Sequence, residues 1–230
     1  MKKQLGSKLT QLMINGGTDV TQRHLGDRLA NSISHGTGFA LAIAGTILLI
    51  IRANSGLEIG AVIIYGISLM MLFLFSTLHH SLPVKSDKAY QFLLTLDMVA
   101  IYFLIAGSYT PFMLLVVDDQ TTNLLFFAIW AMALVGATLR FAFPKRFIPI
   151  HVIFYVIMGW SIVIIWPMVS PLLSTPVLWL VFLGGVTYTS GIFFFVLSYV
   201  KRNWHYVHLV WHLMVLLAAV LHYFAVFQLI

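Results

Sequence analysis

Cysteine is absent from this chain, which excludes disulfides, thiolate metal ligands and cysteine nucleophiles in one step. Charge is scarce too: Asp, Glu, Lys and Arg make up 9% of the residues, against about 25% in ordinary soluble domains. A chain that is 60% hydrophobic and so poor in charge cannot cover itself with a water-compatible surface, and it is read as a polytopic membrane protein. No secretory signal is expected in residues 1–34, which are polar and hold no apolar core of the required length. The first hydrophobic run is therefore expected to insert and remain as a helix.

What is present is apolar length. Seven runs reach the roughly 20 residues that cross about 30 Å of hydrocarbon, at 35–53, 57–80, 90–117, 122–143, 147–169, 175–200 and 204–229. Short polar links separate them, among them Asn54-Ser55-Gly56, the stretch from Ser81 to Lys88 with Pro83, Asp118-Asp119-Gln120, Pro144-Lys145-Arg146, Ser170-Pro171 and Lys201-Arg202-Asn203. The expectation is an all-α fold: a cytoplasmic N-terminal segment over 1–34, then a single seven-helix transmembrane bundle over 35–230.

Orientation follows from the basic residues. With the N-terminus in the cytoplasm, the tail (Lys2, Lys3, Lys8, Arg23, Arg28) and alternate loops (Lys85, Lys88, Arg140, Lys145, Arg146, Lys201, Arg202) lie inside, and Arg52 alone lies outside. An odd number of crossings then puts the C-terminus outside. The formal net charge of +6 reports this topology and contact with anionic lipid, and no nucleic-acid partner is expected.

The few polar residues inside the hydrophobic runs carry the chemistry. His208 and His212 are one helical turn apart, so both imidazoles share a helix face and can close on one metal ion. Asp97 is a lone carboxylate in a hydrophobic segment, where an ionised group costs about 2.5–3.5 kcal/mol on insertion scales unless something pairs with it. The expected topology brings His80, Asp97, His208 and His212 within roughly 10–12 Å of the cytoplasmic boundary, given a rise of 1.5 Å per residue. Ser76, one turn before His80, points to the same pocket. Without cysteine, any metal there is held by nitrogen and oxygen. Plainer readings stand beside this one: Asp97 paired with a hydroxyl or with Lys88, and His208 and His212 in interhelical hydrogen bonds. His24, His151 and His205 read as solvated interfacial residues, His222 as a satisfied core histidine, and His79 as facing away from His80.

Five strings, Asn31-Ser-Ile-Ser-His35-Gly, Ser76-Thr-Leu-His-His80, Leu96-Asp97, Leu104-Ile-Ala-Gly-Ser-Tyr-Thr-Pro-Phe112 and His208-Leu-Val-Trp-His212, resemble the bacterial hemolysin III branch of the PAQR family, relatives of the adiponectin and progestin receptors. The resemblance implies seven transmembrane helices and a zinc ion near the inner leaflet bound by His80, His208 and His212. It also implies that Asp97 holds a water beside the zinc, supported by Ser76. His35 is read as a neighbour of the site or an interfacial residue rather than a ligand. Two departures stand out. Arg28, with Asp27 beside it, replaces a Glu usual in the family, which removes the usual basis for an acidic role on the first helix. His79 stands where a Tyr is common.

Three imidazoles and a water form the arrangement by which zinc polarises a carbonyl, and a neighbouring carboxylate can act as general base. The expected function is that of a zinc-binding inner-membrane protein of membrane homeostasis, with a zinc-dependent lipid amide or ester hydrolase site (ceramidase-like). There Asp97 and Ser76 would be catalytic and the partners membrane lipids. The alternatives are a non-enzymatic sensor of membrane state with structural zinc and, least supported, a membrane-lytic protein. Iron or manganese would suit the same donors.

Overall fold

The computed structural model describes residues 24–82, 87–116, 119–144, 148–201 and 204–230. Lys2, Lys3, Lys8, Arg23, Lys85, Asp118, Lys145, Arg146 and Arg202, on which much of the charge argument rests, lie outside the described residues. Eight α-helices follow in order: α1 Leu25–Arg52, α2 Gly56–Ser81, α3 Asp87–Leu115, α4 Gln120–Ala142, α5 Ile148–Trp160, α6 Ile162–Val169, α7 Thr175–Val200 and α8 Val207–Phe227. A short 3₁₀ turn, Ser170–Leu172, follows α6. Helices α5 and α6 with that turn make one crossing, so the described residues contain seven helical spans long and apolar enough to cross a membrane.

The burial pattern is that of a membrane protein turned toward lipid. Ile51, Leu124, Phe127, Ile164 and Phe193 are exposed, while His35, His79, His80, His151, His212 and Arg140 are buried. In water this arrangement would be unfavourable on both counts, but hydrocarbon accepts the apolar exterior and drives polar groups to each other. The helices form a ring in which α1 packs on α2, α2 on α3, α3 on α4, and α7 on α8, with α8 returning to α1. Contacts of α5 with α3, α4 and α7 complete it.

Two local features shape the bundle. The break between α5 and α6 falls at Ser161, where the Tyr109 hydroxyl accepts the Ile162 N–H (2.7 Å) and lies 2.9 Å from the Gly159 carbonyl it can donate to. A hydroxyl with one proton and two lone pairs thus repairs the interrupted ladder from a neighbouring helix. On α4, a side chain at Gly136 would run into the Tyr102 ring, so glycine there lets α3 and α4 approach closely.

One boundary differs markedly from the hydropathy reading. Helix α1 starts at Leu25, ten residues before the apolar run at 35. Its first turns carry Asp27, Asn31 and His35, all buried and spaced four apart, so they form one stripe facing the bundle while Leu25, Leu29 and Ile33 face outward. A stripe of buried polar residues lowers the mean hydropathy without shortening the helix.

Candidate metal centre

The C-terminal end of α2, the N-terminal half of α3 and the start of α8 meet at one end of the bundle, and α1 closes over them. His80, His208 and His212 are all buried there, and one ligand nitrogen from each lies within 4.8 Å of the other two. Their rings fan around a common point rather than stack: centroids are 4.7 Å apart for His80 and His212, 5.3 Å for His80 and His208, and 4.8 Å for His208 and His212, with interplanar angles of 56–66°.

Neighbouring polar groups settle which nitrogen faces the cluster. The His212 Nδ1 lies 3.2 Å from the Asn31 carbonyl oxygen. A carbonyl only accepts, so Nδ1 carries the proton and donates it, leaving Nε2 with its lone pair. His208 Nδ1 lies 3.3 Å from Ser198 Oγ, whose own proton goes to the Phe195 carbonyl at 2.7 Å. Ser198 therefore accepts from His208, with the same consequence. Outer partners that fix tautomer and ring orientation are typical of histidine metal ligands. Around a tetrahedral ion with bonds of about 2.0–2.1 Å the donors sit about 3.3 Å apart, so ligand nitrogens no more than 4.8 Å apart need close by only about 1.5 Å. The donor set fits a divalent ion.

Asp97 and Ser76 line the same cavity, with the Ser76 hydroxyl a hydrogen-bond partner of the Asp97 carboxylate. The cavity, about 100 Å³, is lined by Leu72, Ile101, Ile192 and Phe195 as well as by the imidazoles, so polar and apolar walls share it. Lys88 is exposed, and among the described residues the recorded ion pair is His205 with Asp27, so the Lys88 reading of Asp97 finds no support.

The other histidines divide. His35 stacks on His212 at 3.7 Å and 21°, and meets Phe73 edge-on; it backs a ligand ring and joins neither donor group. His222 Nε2 reaches the Val181 carbonyl at 3.2 Å, a satisfied core residue. His24 and His205 are exposed. Two expectations need correction. His151 is buried, with Nδ1 2.8 Å from the Tyr102 hydroxyl, because α5 turns its first face toward α3 rather than toward the interface. His79 is also buried and lines the cavity, with Nε2 3.3 Å from the Tyr90 hydroxyl. Residues about 100° apart on α2 can both face the cavity, because it wraps that helix from α8 round to α3.

Three residues gain roles that their sequence setting hid. Arg140, expected in a cytoplasmic loop, is fully buried on α4, and none of its three nitrogens has a hydrogen-bond partner among the described residues. Its guanidinium is within electrostatic range of the Asp97 carboxylate but makes no contact ion pair with it among the described residues. Arg28 donates to the carbonyl oxygens of Ser81 and Leu82, capping the end of α2 that carries His79 and His80. Asp27 reaches across to the turn before α8: its carboxylate oxygens lie 3.1 Å from His205 Nδ1 and accept the Tyr206 N–H at 3.1 Å. Tyr206, at φ 58° the one described non-glycine residue with positive φ, is held in that conformation two residues before His208. The first helix thus does supply an acidic group, at position 27.

Residues 25–223 match the model of the family described as haemolysin-III related. The chain is 36% identical over 203 residues to hemolysin-3 of Bacillus cereus, covering 87% of this chain and 90% of that one. It is 36% identical to the hemolysin-3 homolog of Bacillus subtilis, covering 87% and 92%. With the human monocyte to macrophage differentiation factor it shares 29% identity over 205 residues, covering 88% of this chain and 84% of the relative.

Proposed function

The chain belongs to the haemolysin-III-related family of PAQR membrane proteins, and from that premise we propose that it is a zinc-dependent hydrolase acting on a lipid amide or ester, serving membrane homeostasis. The observation that carries this reading is the coexistence, in one cavity, of three converging imidazoles, a carboxylate and apolar walls. Zinc would suit the three neutral nitrogen donors, with His80, His208 and His212 holding it. When bound, such an ion supplies a positive charge that polarises a carbonyl and acidifies a neighbouring water.

The chain's own residues then divide the work. Asp97 accepts the proton of the attacking water as the new C–O bond forms, and returns it to the departing amine or alkoxide. Ser76 holds the carboxylate in place. The apolar walls, Leu72, Ile101 and Ile192, exclude bulk water and face the apolar part of an amphiphilic substrate. Arg140 balances the carboxylate charge from the side of α4. The site lies in the cytoplasmic half of the bacterial inner membrane, with the N-terminus inside and the C-terminus outside, on the strength of the basic-residue asymmetry.

A second reading has its own support. Residues of α1, α2, α7 and α8 all hold or contact the three imidazoles, so an ion there would also staple helices in a non-enzymatic sensor. Nothing in the cavity favours the lytic alternative. Asp97→Asn separates the first two: purified, metal-loaded variant should hydrolyse no lipid amide or ester while keeping its zinc. A variant as active as the wild type would contradict the hydrolase reading.

A further inference from the structure

A second group of donors shares the cavity with the first. One ligand atom each from His79, His80 and Asp97 lies within 4.8 Å of the others. The rings of His79 and His80 meet edge to face at 4.8 Å and 62°. His79 is 3% exposed. Its Nε2 is turned toward the Tyr90 hydroxyl, which fixes the ring, and its Nδ1 is buried with no hydrogen-bond partner among the described residues. A buried imidazole nitrogen without a partner loses its hydration for nothing unless something binds it.

We infer that the divalent ion has a second resting place in this protein, formed by His79, His80 and Asp97. The inference builds on the proposed metal reading, with which it shares His80, and goes beyond it in assigning His79 as a ligand. The two sets cannot be filled together. A neutral imidazole has one lone pair to give, so His80 serves one set at a time. One ion therefore moves between three imidazoles and a set of two imidazoles with a carboxylate. In the second position Asp97 neutralises part of the ion's charge, and Tyr90 acts as a positioning residue for the His79 ring. The arrangement depends on His79, since a Tyr there would offer only a weakly acidic phenol.

Cobalt(II) added to the full-length protein in detergent tests this. The wild type, His208→Ala/His212→Ala, and the latter combined with His79→Phe are compared by bound cobalt after equilibrium dialysis and by visible absorption. The double variant is expected to retain bound cobalt, with an absorption envelope changed by the carboxylate ligand, and the triple variant to lose it. His79→Phe alone should still bind cobalt. A folded double variant that binds none, or a triple variant that still binds, overturns the second position. If the alanine pair does not fold, His208→Asn/His212→Asn, which keeps polarity and volume, replaces it with the same expectations. A wild type that binds no cobalt sinks the metal reading itself, whereas a loaded wild type beside an empty double variant sinks only this inference.

Discussion

The Nδ1 of His212 on α8 donates to the main-chain carbonyl of Asn31 on α1, at 3.2 Å and across 181 positions of sequence. That bond fixes a tautomer, and it ties the helix carrying two candidate ligands to a helix whose polar start is invisible to hydropathy. His208 is held in the same manner by Ser198 on α7.

Ser198→Ala removes the acceptor for the His208 N–H and leaves the ring free to turn or change tautomer. Loss of such an outer partner typically costs 10–100-fold in metal affinity. Competition with a chelator of known affinity should register a drop of that order, with little change in thermal stability of the metal-free protein. An unchanged affinity would show that the Ser198 contact does not orient the ligand.

Asp27→Ala takes away both the Tyr206 N–H acceptor and the His205 partner. A buried network deprived of one member typically loses about 1–3 kcal/mol, here directed at the turn that delivers His208. The unfolding temperature in detergent should fall, and backbone amides around 204–208 should exchange faster with solvent. Protection equal to wild type in that turn would count against the clasp.

Arg140 and Asp97 should be energetically coupled. Arg140→Met removes the cation that the Asp97 carboxylate senses and Asp97→Asn removes the charge that the guanidinium senses, so each single change alters stability, while the pair together removes both charges. A double-mutant cycle on thermal unfolding is expected to give a coupling of about 1–3 kcal/mol, as for charged neighbours in one network. Strict additivity would mean that the two charges do not sense each other.

The absence of cysteine offers a clean test of topology. A single cysteine at Asn54, in the link between α1 and α2, should react with a membrane-impermeant maleimide added to intact cells, whereas one at Lys201 should react only after the cells are opened. The reverse pattern would invert the orientation and place the metal site at the outer face.

Much of this was legible because apolar length is a coarse signal. The seven crossings follow from runs of about 20 residues, and the pairing of His208 with His212 from helical period alone. The start of α1 was hidden because Asp27, Asn31 and His35 read as surface in composition, and only packing against α2 and α8 turns them inward. Arg140 was hidden for a related reason: at the end of an apolar run a basic residue reads as loop, and only its neighbours Tyr102 and Tyr155 reveal that it points into the bundle. His79 differs from His80 by one residue, and periodicity could not tell that the cavity spans both directions. The spacing of four between Asp27, Asn31 and His35 was the available signal for the first of these, because it repeats at helical period where hydropathy is low.

The most direct measurement is the metal content of purified wild-type protein beside His80→Ala, the residue common to both donor sets. Near-stoichiometric zinc is expected in the wild type and none in the variant, with both proteins folded. A folded wild type free of metal, or a His80→Ala variant that keeps its zinc, would contradict the metal centre on which the proposed chemistry depends.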